Sequence, residues 1–199
     1  MEDISLHILD IAENSVSASA TLVRISIIEE TTKDLFTVAI EDNGRGMTEE
    51  FVQKILDPFC TTRTTRNVGL GLSLLAQSAR ETGGDILVRS AVNKGTLVTA
   101  DFKPSHIDMK PLGNIADTVM TLIAGNPQVD FHFSCTKEGK NYSLDTREIR
   151  SALEEVPINS SEVLSAIRSD LLEGLQALFD LKTSMQPSRK TKNVPLQRR

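Results

Sequence analysis

Behind Asp3, the apolar residues Ile4, Ile8, Ile11, Ala12 and Val16 recur three or four positions apart, which predicts a helix with one buried face and Asp3 as its N-cap. From Thr21 to Ile28 the period shortens to two, with Val23, Ile25 and Ile27 opposed to Leu22, Arg24 and Ser26. A second apolar run, Leu35 to Ile40, follows the polar turn Glu30-Thr31-Thr32-Lys33-Asp34. These two runs predict paired strands. Thr48 opens a short helix carrying Phe51, Val52, Ile55 and Leu56 that stops at Asp57-Pro58, because proline disfavours the helical conformation in the residue before it. A polar loop leads to a further helix from Gly69 to about Thr82, ended by Gly83-Gly84. Ile86 to Val92 and Thr96 to Phe102 then flank Asn93-Lys94-Gly95 as a hairpin.

Beyond Pro104 the texture changes. A helix is expected over 113–124, and a strand pair over Val129 to Cys135 and Tyr142 to Leu144. Asp145 caps another helix running to about Glu154, and Ser160 or Ser161 caps a longer one. In that last helix Val163, Ile167, Leu171, Leu175 and Leu178 form a stripe, read as packing on the protein's own body, with a homodimer as the other use of such a stripe. The pattern divides the chain into a main domain at 1–104, a small α/β appendage at 105–181 and a basic, disordered tail at 182–199.

Charge sharpens this division. Six basic residues and no acid lie between Lys182 and Arg199, so the formal charge of −5 separates into a +6 tail and a body of −11. So acidic a body argues against a nucleic-acid partner. The two cysteines, Cys60 and Cys135, show no metal-like spacing and fit a reducing compartment. No run approaches the roughly 20 apolar residues of a membrane span, and the opening residues lack a signal-peptide pattern. A soluble, cytoplasmic protein is expected.

Four short elements carry chemistry. Asn14, on the first helix, offers an amide oxygen of the kind Mg²⁺ accepts alongside its waters, and the neighbouring carboxylate Glu13 is a candidate general base. Asp42-Asn43-Gly44-Arg45-Gly46-Met47 ends a strand in a carboxylate able to accept from an exocyclic amino group, between glycines that let a flat ring approach the backbone. Thr61, Thr62 and Arg63 bring hydroxyls and a guanidinium suited to a γ-phosphate. Gly69-Leu70-Gly71-Leu72 opens a helix whose N–H groups and dipole favour phosphate oxygens.

Together these elements resemble the GHKL ATPases, the superfamily of gyrase, heat-shock chaperone, histidine kinase and MutL nucleotide-binding domains. The resemblance covers about residues 1–104. "AENSVSASAT" matches the N box, "EDNGRGM" the first glycine box, "DPFCTTR" the F box and "GLGLSLL" the second glycine box. It implies an α+β fold, a mixed sheet with helices on one face. It further implies Asn14 on Mg²⁺, Asp42 on the adenine amino group, Gly44, Gly46 and Met47 at the ring, Gly69, Leu70, Gly71 and Leu72 at the phosphates, and Thr96 beside the adenine. Cys60 stands where kinases of the family commonly have a second phenylalanine, and is read as a small apolar filler rather than a redox sensor.

Kinases of this type carry a phosphoacceptor histidine on a helical hairpin before the ATP-binding domain. None of His7, His106 and His132 has that setting. The expected function is therefore transfer of the γ-phosphate of Mg-ATP to a separate, unidentified protein, as in anti-sigma serine kinases or a kinase core acting in trans. The alternative is an ATP-driven switch or assembly module with slow hydrolysis.

Overall fold

A computed structural model describes residues 3–56, 71–153 and 155–179. Helix α1 (Ile4–Ser17) begins where expected, the Asp3 carboxylate accepting from the Leu6 N–H at 3.0 Å. Two more of its first-turn N–H groups, which lack helical partners, donate to the carbonyls of Pro111 and Leu112. Strands β1 (Leu22–Glu30) and β2 (Leu35–Asp42) pair antiparallel. Helices α2 (Glu49–Leu56) and α3 (Gly71–Glu81) follow, then the hairpin β3 (Ile86–Ala91) and β4 (Gly95–Phe102). Next come α4 (Ile115–Gly125), β5 (Asp130–Lys137), β6 (Lys140–Asp145), α5 (Thr146–Leu153) and α6 (Ser161–Phe179).

The strands form one mixed sheet in the order β3-β4-β2-β1-β5-β6. Five of its pairings include a single parallel one, between β1 and β5, made possible by the α4 crossover. Register puts Leu144, Phe133, Ile25, Ile40, Val98 and Val88 in one row across all six strands, and every one is buried. Their sequence neighbours on the other face are half-buried or exposed. The helices therefore lie on one face of an α+β fold. The region expected as a small appendage from residue 105 supplies two strands of this same sheet, and its buried residues belong to one continuous core with those of α1 and β1. The α6 stripe is buried within that core. Among the described residues no helix is long and apolar enough to cross a membrane.

His7 is buried within α1, its Nε2 3.5 Å from the Ser78 hydroxyl, which also accepts from Lys110 Nζ at 2.6 Å. Burial, and then the Lys110 ammonium, lower its pKa below 6.5, against weaker opposing pulls from Asp10 and Asp3. A base whose pKa is depressed by folding binds protons preferentially in the unfolded chain, so stability falls as pH drops through 6.5 and is fully present above it. Urea unfolding midpoints should therefore decline from neutral pH toward mildly acid pH, and less steeply in His7→Gln. Equal slopes in the two proteins would exclude this source of acid sensitivity.

Candidate functional site

Along the helix-covered side of β2 the buried positions run Phe36, Val38, Ile40 and then Asp42. A carboxylate thus occupies the last place in a hydrophobic row. A buried carboxylate needs hydrogen-bond donors, and two are supplied: the Ser15 hydroxyl donates to Oδ2 and the Gly44 N–H to Oδ1, both at 2.8 Å. A carboxylate has about four acceptor positions, so both oxygens keep capacity for a ligand's donor. Asn43 turns the other way, its Oδ1 accepting from the N–H groups of Thr21 and Leu22 at 2.9 Å, which anchors the loop to the start of β1.

The turn after Asp42 closes against the β3–β4 hairpin. Met47 N–H donates to Ser90 Oγ, which lies 2.8 Å from the Gly95 carbonyl and 2.9 Å from Thr96 Oγ1, and Asn93 N–H donates to the Arg45 carbonyl at 2.7 Å. Two glycines permit this fit. Gly46 and Gly95 have φ of +63° and +85°, and a Cβ would overlap the Ala91 carbonyl at the first and the Asp42 carbonyl at the second.

Beneath this turn is a cavity of about 160 Å³. Ile11, Ile40, Met47, Ile55 and Val98 give it apolar walls, while Asp42, Asn14, Ser15 and Thr96 give it polar groups. Apolar walls with a few convergent polar groups are the usual composition of a small-ligand pocket. Asn14, Asp42, Gly46, Met47, Leu72 and Thr96 are brought together here, while Gly44, bonded to Asp42, and Gly71, beside Asp10, are not among the lining residues. Thr61, Thr62, Arg63, Gly69 and Leu70, with Cys60, lie outside the described residues. Cys135 is buried, its thiol pushed up to about 11 mainly by desolvation.

Glu13 is not among the pocket's lining residues. Consecutive helical residues are about 100° apart, and the Glu13 side chain turns outward to accept from Asn126 Nδ2 at 3.3 Å, beside the C-terminus of α4. The carboxylate on the Asn14 face is Asp10, one turn earlier. It rests against Gly71, where a Cβ would come within 3.0 Å of Asp10 Oδ2. Ser15, which lines the cavity and bonds Asp42, is a site residue that sequence reasoning passed over, and Asp10, outside the lining like Glu13, is a second carboxylate near Asn14 that it also passed over. The spacing of four to Asn14 could have revealed Asp10, and the spacing of four to buried Ile11 could have revealed Ser15.

A family model described as histidine kinase-, DNA gyrase B-, and HSP90-like ATPase matches residues 2–106, and the chain belongs to that family. It is 30% identical over 103 residues to a putative sensor protein of Shewanella frigidimarina, covering 51% of this chain and 16% of the relative. It is 32% identical over 94 residues to the sensor histidine kinase YvrG of Bacillus subtilis, covering 45% and 16% respectively. The chain thus spans about a sixth of the length of these curated relatives. The Aquifex aeolicus MutL ATPase domain complexed with ADP superimposes with a TM-score of 0.47 at 17% identity, over 77% of this chain and 70% of that one.

Proposed function

We propose that the chain binds Mg-ATP with the adenine amino group on Asp42, and that it acts as a kinase-like regulatory protein passing the γ-phosphate to a separate protein. The observation that carries the reading is the buried Asp42 carboxylate, held at both oxygens yet retaining acceptor capacity toward the cavity. The residues present fit the cofactor. No cluster of three or more His, Cys, Asp or Glu suited to a metal occurs among the described residues, so Mg²⁺ would rest on the Asn14 amide oxygen, the phosphates and water, the mode this ion prefers. The ion supplies neutralisation of the phosphate charge. Asp10, on the same helical face as Asn14 and against the first residue of α3, is our candidate to take a proton from an attacking hydroxyl or water. Glu13, the residue expected from the sequence for that role, is oriented toward α4.

The histidines of the chain do not suit the acceptor role. His7 is fully buried, His132 is half-buried on the sheet, and His106 Nδ1 accepts from the Asp108 N–H in an irregular segment. Incubation with γ-labelled ATP should therefore leave no acid-labile label on the chain itself, while added cell extract yields label on a second protein. Label in free phosphate alone would replace transfer with the switch reading, and stable label on one of the three histidines would remove the separate acceptor. In the same assay Asp10→Asn should lower turnover by about 10²-fold or more, the scale of general-base catalysis, with nucleotide affinity nearly intact. Glu13→Gln should change turnover little. The opposite ranking would return the base to Glu13.

A further inference from the structure

The face of the sheet turned away from the helices carries a feature that the nucleotide reading does not use. β3 is the sheet's terminal strand, and on its outer face Leu87, Arg89 and Ala91 alternate and are all exposed. Leu87 is 48% and the following Val92 55% solvent-accessible. Beside them is a shallow cleft of about 280 Å³ whose lining includes Arg89, Lys94, Leu97 and Glu41. Register aligns Arg24, Glu41, Leu97 and Arg89 across four strands.

Within that row Glu41 is already paired with Arg24 at 3.1 Å. Arg89 and Lys94 make no ion pair or side-chain hydrogen bond with any described residue. Two unpaired cations beside exposed apolar side chains form a local positive patch on a chain whose formal charge outside its basic tail is −11. With Glu41 held by Arg24 and Asp42 by Ser15 and Gly44, the charges left free at this patch are the two cations, which favour an acidic ligand. The side-chain period of two along β3 is also that of an extended segment laid beside it.

We propose that the exposed side of β3 and its cleft dock an extended, acidic and apolar segment of a partner protein. The residues of the segment that face the sheet, two apart, alternate carboxylates that meet Arg89 and Lys94 with apolar side chains that cover Leu87, Val92 and Leu97. The cleft shares Asp42, Gly95 and Thr96 in its lining with the strands that wall the nucleotide pocket, so the partner would sit directly behind the adenine site.

The test uses the full chain without nucleotide, so its failure leaves the ATP reading standing. The probe is a fluorescein-labelled heptapeptide with glutamate and valine alternating at its odd positions and threonine between them, so that both share one face, followed by fluorescence anisotropy. Saturable binding is expected at low salt, weakening as ionic strength rises because the contacts are exposed charges. The double variant Arg89→Glu, Lys94→Glu should bind about tenfold or more weakly, and Leu87→Ser with Val92→Ser should also weaken binding. The double variant Lys33→Glu, Lys140→Glu, the same charge change at distant turns, should match the native chain. Since Arg89 and Lys94 are exposed and unpaired, unchanged thermal unfolding of the double variant will show that it folds. Absence of saturable binding to the native chain, undiminished binding to the Arg89→Glu, Lys94→Glu variant, equal binding of the heptapeptide with lysine in place of glutamate, or full displacement by inorganic phosphate would each overturn the proposal.

Discussion

Asp42→Ala is expected to remove most of the thermal stabilisation that Mg-ADP gives the native chain. A hydrogen bond to a charged group contributes about 1.5–3 kcal/mol, and each 1.4 kcal/mol is a factor of about ten in affinity. Loss of the carboxylate should thus weaken adenine nucleotides about ten- to a hundredfold, and the ligand-induced shift falls as the ratio of ligand to dissociation constant falls. The ligand-free variant will itself be less stable. Ser15 Oγ retains the Ile11 carbonyl at 3.2 Å, but the buried Gly44 N–H loses its acceptor. Each protein's shift is therefore measured from its own ligand-free midpoint, with Mg-ADP and Mg-GDP in parallel. Equal protection of the native chain by the guanosine nucleotide, or a full adenosine shift in the variant, would show that Asp42 does not read the base.

Leu171→Ala should have the larger effect on folding, although α6 contributes nothing to the pocket lining. Leu171 is fully buried and belongs to the same core as Ile4, Ile25 and Phe133. Truncating such a leucine costs about 2–5 kcal/mol, a transfer term plus a cavity term, against a typical total of about 5–15 kcal/mol. If that core is one cooperative unit, far-ultraviolet circular dichroism and the nucleotide-dependent shift will report a single transition moved to lower denaturant. Two transitions, of which only one moves, would instead make residues beyond 104 an independently folding part.

Legibility from sequence followed the range of the forces involved. Short-range patterns were sufficient for α1, because Ile4, Ile8, Ile11 and Ala12 declare their shared face and Asp3 declares the start. They were sufficient for β2, where alternation runs to Asp42 and marks that carboxylate as part of a buried row. Neighbour relations in the sheet were another matter. Phe131, Phe133 and Cys135 announce a strand, but alternation carries no information about which strand it pairs with, so the insertion of β5 beside β1 had no local signal. Adjacency in the chain singled out Glu13 as candidate base, and helix geometry adds Asp10 as a second candidate. On a helix, the residue next in sequence faces away, whereas the residue four earlier shares the face, a relation that the chain order of Glu13 and Asn14 does not display.

The place of β1 in the sheet limits how this chain can be divided. In the native fold its residues from Val23 to Glu29 are paired on both sides, by β2 and by β5. Cutting at the end of the family match, near residue 106, would leave the backbone groups that face β5 without partners. It would also uncover the part of the α1 surface on which α4 packs. A long strand edge with Val23, Ile25 and Ile27 on one side and Ile28 on the other is a template for pairing with a second chain. Self-association of such a fragment would be a consequence of the cut, and would say nothing about the oligomeric state of the native molecule.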